Sequence, residues 1–459
     1  MEHFSLKQAA QALNTSCAFD GEVSSVVIDN RMVTPGALFF AIKGERFDGH
    51  NFVAGALESG AIGAVCTYVP KNCEGKNILL VKDTGIAFLE LARWYRRQFS
   101  IPVVGITGSV GKTTTKEMVA CVLASNFKTL FTEGNLNNQI GVPRMCFRLD
   151  NSFEAAIFEM GMSGFGEISS LTNTVLPTIG LITNIGVSHI ENLGSRDGIL
   201  KAKMELLEGM EKDAPLFLNL DNDMLCTAGK SITDRKVYYY SADSTDADYY
   251  AENITIGGEG SVFDVVIKRN GKRVNVKLPA AGKHNVLNAC AAIGIGDVLG
   301  IGAQEAASAL EDYTPSGMRQ KIVKKGSLTV IEDCYNASPD SIKAALNVLR
   351  DIGTTGRKIA VLGDMLELGA HSQEAHTSCG EIAAQSDIDY IFAYGNHARF
   401  YVEGAHKAGL DAEFFEDKNA LFSALLEYLG ANDTILFKAS RGMKLEEVIE
   451  RLYSECENI

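Results

Sequence analysis

The sequence predicts an α/β protein in three domains: a small N-terminal α/β domain over residues 1–98, a central P-loop domain with a mostly parallel sheet over 99–314, and a C-terminal α/β domain over 315–459. Three observations predict it. At 459 residues the chain exceeds what one hydrophobic core organises. Apolar β-branched runs alternate with helical patterns from about residue 100, and the alternation restarts after Thr314-Pro315-Ser316-Gly317, as parallel sheets require. Between one such run and the next helix lies Thr107-Gly108-Ser109-Val110-Gly111-Lys112-Thr113-Thr114, a glycine turn closed by Gly-Lys-Thr.

In the first domain, Ser5-Leu6-Lys7-Gln8 is a capping-box start to a short helix. Strands are predicted at 24–28, 37–42, 62–66 and 78–81, with a helix over 51–58 and another from Thr84 to about Phe99. The loop Lys43-Gly44-Glu45-Arg46-Phe47-Asp48-Gly49-His50 follows a strand, where ligands and solvated turns are both common. In the central domain a helix is predicted over 112–124 and strands at 128–131, 155–158, 178–182 and 216–220. Residues 236–278 alternate with turn signals such as Asn270-Gly271 and predict an antiparallel ribbon. Helices follow at 285–299 and 303–312. Gly294-Ile295-Gly296 and Gly300 have no strand before them and are read as helix packing, not a dinucleotide fingerprint. The third domain is predicted to have strands at 328–333, 358–362, 390–393 and 434–437, and helices at 338–349, 373–385, 421–429 and 445–453.

Composition narrows the function. Hydrophobic residues make up 46% and charged residues 22%, an ordinary globular balance. A net charge of −14 argues against a nucleic-acid or anionic-membrane partner, and means that an anionic substrate needs local basic groups. The ten cysteines show no zinc spacing and predict reduced thiols in a cytoplasmic protein. Met1 to Ser5 lack a signal-peptide pattern, and no stretch is apolar and long enough for stable membrane insertion.

The turn at 107–114 is the recipe for a triphosphate cradle. Glycines let the N–H groups of Gly108, Ser109, Val110, Gly111, Lys112, Thr113 and Thr114 approach phosphate oxygens. Lys112 reaches the β/γ-phosphates and Thr113 offers a hydroxyl to Mg²⁺. Ile106 stands where the strict pattern has glycine; a turn without ligand is the plain alternative.

Glu159, Asn184, His189, Asp333 and Asp364 follow predicted strands, where parallel sheets bind ligands. Singly, each has an equally plain structural reading as a surface acid, a satisfied loop histidine or a helix cap. Glu159 and His189 gain weight by sharing a sheet edge with the phosphate loop. Lys203 is the most informative. On a helix it falls inside a roughly 160° arc with Ile199, Leu200, Met204, Leu206, Leu207 and Met210. An ammonium there must snorkel, pair with a buried acid, or enter an active site where its charge is used or changed.

Ordered motifs then cover nearly the whole chain. They are Val27-Ile28-Asp29-Asn30-Arg31, residues 35–44, Asp48-Gly49-His50, residues 107–114, Gly134-Asn135-Leu136-Asn137-Asn138 through Pro143, Glu159-Met160-Gly161, residues 183–191, Ala202-Lys203-Met204-Glu205, residues 282–288, residues 333–341 and Val361-Leu362-Gly363-Asp364-Met365. Together they resemble the Mur ligases, whose usual loop is Thr-Gly-x-x-Gly-Lys-Thr, which accounts for Ile106. Gly134 to Asn138 and Asp333-Cys334-Tyr335-Asn336-Ala337-Ser338-Pro339-Asp340-Ser341 resemble the branch that adds D-alanyl-D-alanine. The Asp-Asn-Pro-Arg motif of the diaminopimelate-adding branch is absent, and Asn30 stands where Ser or Thr is common.

The resemblance implies a uridine-nucleotide-binding N-terminal domain, an ATPase domain and a Rossmann-like C-terminal domain that binds the incoming dipeptide. It implies ATP-driven ligation of D-alanyl-D-alanine to UDP-N-acetylmuramoyl-tripeptide through an acyl phosphate; a cytoplasmic monomer is expected. It assigns Lys112, Lys203, His189 and Glu159 to catalysis and Asn285, Arg319 and Asp333, with the loop, to ATP. Two Mg²⁺ sites would use Thr113, Glu159, His189 and a CO₂-derived carbamate on Lys203. Asp29, Arg31, Lys43, Gly44, Asp48, His50, Asn137 and Asn138 would hold the uridine substrate, and Asn336 and Asp340 the dipeptide. Domain closure before chemistry is expected, because these contacts lie on different domains. A sister amide ligase, or a nucleotide switch that performs no ligation, are the alternatives.

Overall fold

The computed structural model describes residues 1–258 and 260–455. Three large sheets organise them, beside a two-stranded antiparallel pair of Phe4–Ser5 with Glu22–Val23. The N-terminal sheet has four parallel strands in the order Ser25–Val27, Ala37–Phe40, Gly63–Cys66, Ile78–Leu80. Ser5 caps Leu6–Ala12 through the capping box its sequence predicts. The helix Thr84–Arg96 joins this unit to the next. Tyr95 on it is buried and donates to the Leu149 carbonyl at 2.6 Å, so one apolar core runs from Phe4 through Phe88 to Phe147 and Phe158.

The central sheet has nine strands, and its parallel half positions the phosphate loop. Val103–Thr107 lies between Ile179–Ile182 and Ala155–Glu159, parallel to both, so residues 108, 183 and 160 leave the sheet along one edge. The antiparallel ribbon is shorter than its sequence suggests. Tyr249–Gly257, Gly260–Ile267 and Lys272–Leu278 pair antiparallel, whereas Val237–Ser241 pairs parallel with Leu216–Asn219 and extends the main sheet.

The C-terminal sheet has six strands in the order Lys321–Lys325, Leu328–Asp333, Thr434–Lys438, Lys358–Gly363, Tyr390–Tyr394, Ala412–Phe415. All pairs are parallel except the first. Both end strands are absent from the prediction: Lys321–Lys325 is lysine-rich, as edges often are, and Ala412–Phe415 is short. Thr434–Lys438 returns between strands that precede it in the chain. The crevice beyond its carboxyl end is therefore a switch point, where open α/β sheets bind ligands.

The helix carrying Lys203 spans Arg196–Met204 and then tightens into a 3₁₀ turn over Glu205–Gly209, with Met210 extended. The apolar arc predicts a longer helix. The cause is tertiary: Thr172 Oγ1 donates to the Leu206 carbonyl at 2.8 Å, and Gly209 packs so close that a Cβ there would meet the Thr172 carbonyl oxygen at 2.2 Å. Nine cysteines among the described residues are free, and no described helix is long and apolar enough to cross a membrane.

Candidate active site

The loop between Val103–Thr107 and the helix Lys112–Ala124 turns on two glycines in the left-handed region, Gly108 at φ +150° and Gly111 at φ +83°. Gly108 cannot be replaced without movement, since a Cβ would lie 1.8 Å from Thr183 Oγ1. The next strand's exit clamps the turn. Thr183 Oγ1 donates to the Val110 carbonyl at 2.6 Å, Asn184 Oδ1 accepts from Val110 N at 2.8 Å, and Gly186 N donates to Ser109 Oγ at 3.0 Å. Lys112 Nζ folds back onto the Gly108 carbonyl at 2.7 Å. Burial lowers its pKa, with the Glu159 carboxylate opposing that shift.

Glu159 ends its strand on the same edge and is 2% exposed. Oε1 accepts from Asn137 Nδ2 at 2.8 Å, while Oε2 has no hydrogen-bond partner and lies 3.7 Å from Lys116 Nζ. Lys116, one turn beyond Lys112, is buried, and burial lowers its pKa. His189 starts the short helix Ile190–Leu193 at φ +63° and is half-buried. Its Nδ1 lies 2.8 Å from Glu367 Oε2, an ion-pair distance that falls short of hydrogen-bond alignment. Burial lowers the His189 pKa, Glu367 opposes it, and the ammoniums of Lys112 and Lys203 add to the lowering.

Lys203 is 2% exposed, and among the described residues no ion pair or hydrogen bond holds its ammonium. Burial first, and then the nearby Lys112 charge, hold its pKa well below the ordinary lysine value. It does not line the cleft. It lies within electrostatic reach of Lys112 and His189.

The loop opens into a cleft of about 400 Å³ whose far wall belongs to the C-terminal sheet. The cleft brings together residues 109–114, Asn137, Asn138, Glu159, His189, Asn285, Arg319, Asp333 and Asn336. Arg319 stacks on the Tyr335 ring at 3.7 Å. Asp333 pairs with buried Lys438 at 2.9 Å, and Lys438 also donates to the Asn336 carbonyl at 2.8 Å. Asn285 donates to the carbonyl of Ala281 at 2.8 Å and to Gln320 Oε1 at 3.1 Å. Asn138 Oδ1 accepts from Ile140 N and Gly141 N, so it also serves as a local cap. Asp340 reaches the central domain: a Cβ on Gly186 would meet its Oδ2 at 2.1 Å.

The N-terminal residues form a separate group, outside the cleft's wall. Asp29 accepts from the backbone and guanidinium of exposed Arg31, which holds its pKa down to about 2. His50 Nε2 accepts from Thr67 N at 3.0 Å, so Nδ1 donates to Asp48 Oδ1 at 2.6 Å, and the ring stacks on Tyr68. Lys43 and Asp48 pair through an isolated backbone β-bridge, and the Lys43 side chain stays exposed beside Gly44. Cys334 is buried, and burial raises its thiol pKa, which disfavours the thiolate.

Lys116, Gln320, Glu367 and Lys438 escape the sequence reading. A second lysine at i+4 from Lys112 was the one available signal; the other three reach the site only through the third dimension.

A phosphate loop facing a buried acid with one oxygen free of hydrogen bonds, beside buried lysines and with a second α/β domain across the cleft, is the arrangement of a nucleotide-using enzyme. Three family models match in order: Mur ligase family, catalytic domain over residues 22–96; Mur ligase middle domain over 106–296; and Mur ligase, glutamate ligase domain over 318–441. The chain belongs to the Mur ligase family. It is 40% identical to the UDP-N-acetylmuramoyl-tripeptide–D-alanyl-D-alanine ligase of Bacillus subtilis strain 168, covering 94% of this chain and 93% of that one. It is 36% identical to the ligase of the same name from Escherichia coli K12, covering 94% of each chain. A crystal structure of MurF from Acinetobacter baumannii superposes with a TM-score of 0.92 at 31% identity over 99% of both chains. MurF ligase from Thermotoga maritima in complex with ADP gives 0.86 at 27% identity, covering 95% of this chain and 98% of that one.

Proposed function

We infer that the protein is an ATP-dependent, ADP-forming ligase that joins D-alanyl-D-alanine to UDP-N-acetylmuramoyl-tripeptide, producing the UDP-N-acetylmuramoyl-pentapeptide of peptidoglycan synthesis. The observation that carries the reading is the shared cleft, where the phosphate loop faces Arg319, Asp333 and Asn336 of the C-terminal domain. The full-length similarity to ligases of that name supports the choice of substrates. We take the working units as 1–98 for the uridine nucleotide, 99–314 for ATP and 315–459 for the dipeptide.

In this reading an oxygen of the tripeptide carboxylate attacks the γ-phosphorus of ATP, ADP leaves, and an acyl phosphate forms. The dipeptide amine then attacks the acyl carbon and loses a proton. The tetrahedral adduct expels phosphate with the oxygen that bridged it. Lys112 and the loop N–H groups stabilise the charge on the moving phosphoryl, and Asn285, Arg319 and Asp333 hold the nucleotide. Asp29, Arg31, Lys43, Gly44, Asp48 and His50 anchor the uridine end, with Asn137 and Asn138 nearer the sugar. Asn336 and Asp340 serve the dipeptide, beside a cavity of about 130 Å³ lined by Leu366, Glu367, Ser440 and Arg441 at the switch point.

Mg²⁺ fits the donor set, because buried Glu159 Oε2 accepts no hydrogen bond and Thr113 lines the same wall. When bound it neutralises phosphate charge. Thr113 and Glu159 would hold one ion; His189 and a carbamate on Lys203 would serve a second. Among the described residues no three His, Cys, Asp or Glu side chains form a metal cluster, so substrate oxygens or water would complete the coordination. Carbamylation suits Lys203: it turns an unpaired buried cation into an anion between Lys112 and His189. In this reading the protein works as a cytoplasmic monomer.

Phosphate release tests the reading. Release with ATP and the tripeptide nucleotide should require D-alanyl-D-alanine. Release driven by a free amino acid instead, or indifferent to any amine, would overturn it in favour of a sister ligase or a nucleotide switch.

A further inference from the structure

Glu367 lines the smaller cavity without a role of its own in the reading above, yet its backbone is strained. It sits at φ +63° in the turn after the strand Lys358–Gly363, a conformation that a non-glycine residue rarely adopts. His189, across the domain boundary, sits at φ +63° as well. The two strained residues meet, with Glu367 Oε2 2.8 Å from His189 Nδ1. The neighbouring turn is seated by a second contact: a Cβ on Gly369 would lie 3.0 Å from Glu191 Cγ, on the helix that His189 begins. Glu367 is 65% exposed, and ion pairs of that kind add little stability. Holding the domains together does not account for strain on both sides. Strain that persists without a stability gain points to function.

The chemistry of the pair supplies that function. A neutral imidazole has one nitrogen with a proton and one with a lone pair, and what faces one nitrogen sets which is which. A carboxylate at Nδ1 favours the proton there and leaves Nε2 as the lone-pair nitrogen. Metal-binding histidines are held in this way by carboxylates on their far side. Here the carboxylate comes from the C-terminal domain and the histidine from the central one.

We propose that Glu367 is a positioning residue for His189: docking of the C-terminal domain brings its carboxylate to Nδ1 and fixes the ring with Nε2 free. The inference rests on His189 serving a divalent cation. It adds that the site is completed only when the C-terminal domain docks. The cation site would then be weak in the open enzyme and gain strength on closure.

The test uses the full-length protein labelled with ¹⁵N-histidine, with the His189 signals assigned by His189→Gln. Long-range nitrogen–proton correlation reads the tautomer, and Mn²⁺ binding is followed by electron paramagnetic resonance in the presence of ADP. The wild type should show Nδ1–H, and Glu367→Ala should move the ring toward Nε2–H. Mn²⁺ should bind about 10–100-fold more weakly in that variant. Glu367→Gln, whose amide carbonyl can face Nδ1–H in place of the carboxylate, should keep the tautomer and lose less affinity; it also serves if the alanine variant fails to fold. A wild-type tautomer in Glu367→Ala, or Nε2–H in the wild type, would overturn the proposal. His189→Ala separates the two readings. If its Mn²⁺ affinity equals that of the wild type, the metal role of His189 is wrong, whatever the tautomer shows.

Discussion

At Gly108 a single methyl decides whether the phosphate loop can form. Its φ of +150° and the 1.8 Å approach to Thr183 Oγ1 leave no room for one. Gly108→Ala should therefore cost ATP binding before it costs folding, because the clamp from Thr183 and Asn184 must break while the sheet remains. Calorimetric titration with ATP should show affinity falling at least about 10-fold, with backbone strain alone worth about 1–3 kcal/mol. Wild-type affinity would contradict the clamp. Lys203 invites the opposite experiment. Lys203→Ala should lose most of its turnover and regain part of it with acetate or another short carboxylic acid, which replaces the carbamate's negative charge. Turnover like that of the wild type in the unsupplemented variant would remove the carbamate from the account. Gly108, Lys112 and Lys203 were legible in the sequence because local backbone geometry and helical periodicity announce them. Lys116 and Lys438 were not: Lys116 acquires its acid only when the helix Lys112–Ala124 packs on the strand Ala155–Glu159, and Lys438 only when its strand pairs with Leu328–Asp333.

Secondary-structure elements were legible where their signals are local. Lys112–Ala124 starts behind a glycine turn, and Leu328–Asp333 is a plain apolar run; both have the predicted bounds. The helix of Lys203 ran long in the prediction because the tertiary bond from Thr172 that ends it has no local signature. The helix Ser372–Ala384 carries a pH dependence of its own. His376 is fully buried; Nε2 accepts from Met365 N at 3.0 Å, so Nδ1 donates to the Ser372 carbonyl at 2.6 Å. Burial holds its pKa below the ordinary value of 6.5. The folded chain thus resists a proton that the unfolded chain accepts, and the unfolded state binds more protons as pH falls through about 6.5. Stability should drop on acidification from pH 7 to 5.5, measured by urea unfolding. His376→Asn should be less stable at pH 7 but show a shallower drop; an equal slope would contradict the assignment.

In the whole molecule, the cleft exists only because two domains face one another, and Gly186 marks how closely. A Cβ there would meet Asp340 Oδ2 at 2.1 Å. Gly186→Ala should hold the C-terminal domain back while leaving the phosphate loop intact. Small-angle scattering with both nucleotides bound should give a larger radius of gyration than the wild type, and kcat should fall more than ATP affinity does. Equal radii and equal kcat would show that closure at this contact is unimportant.

The central claim is that the substrate carboxylate, and not water, receives the phosphoryl group. Tripeptide nucleotide carrying ¹⁸O in its terminal carboxylate tests this directly, with mass spectrometry of the phosphate released during ligation to D-alanyl-D-alanine. The account predicts one ¹⁸O in each phosphate formed, carried across by the acyl phosphate. Unlabelled phosphate would mean that water attacked ATP, and the ligase mechanism would be wrong.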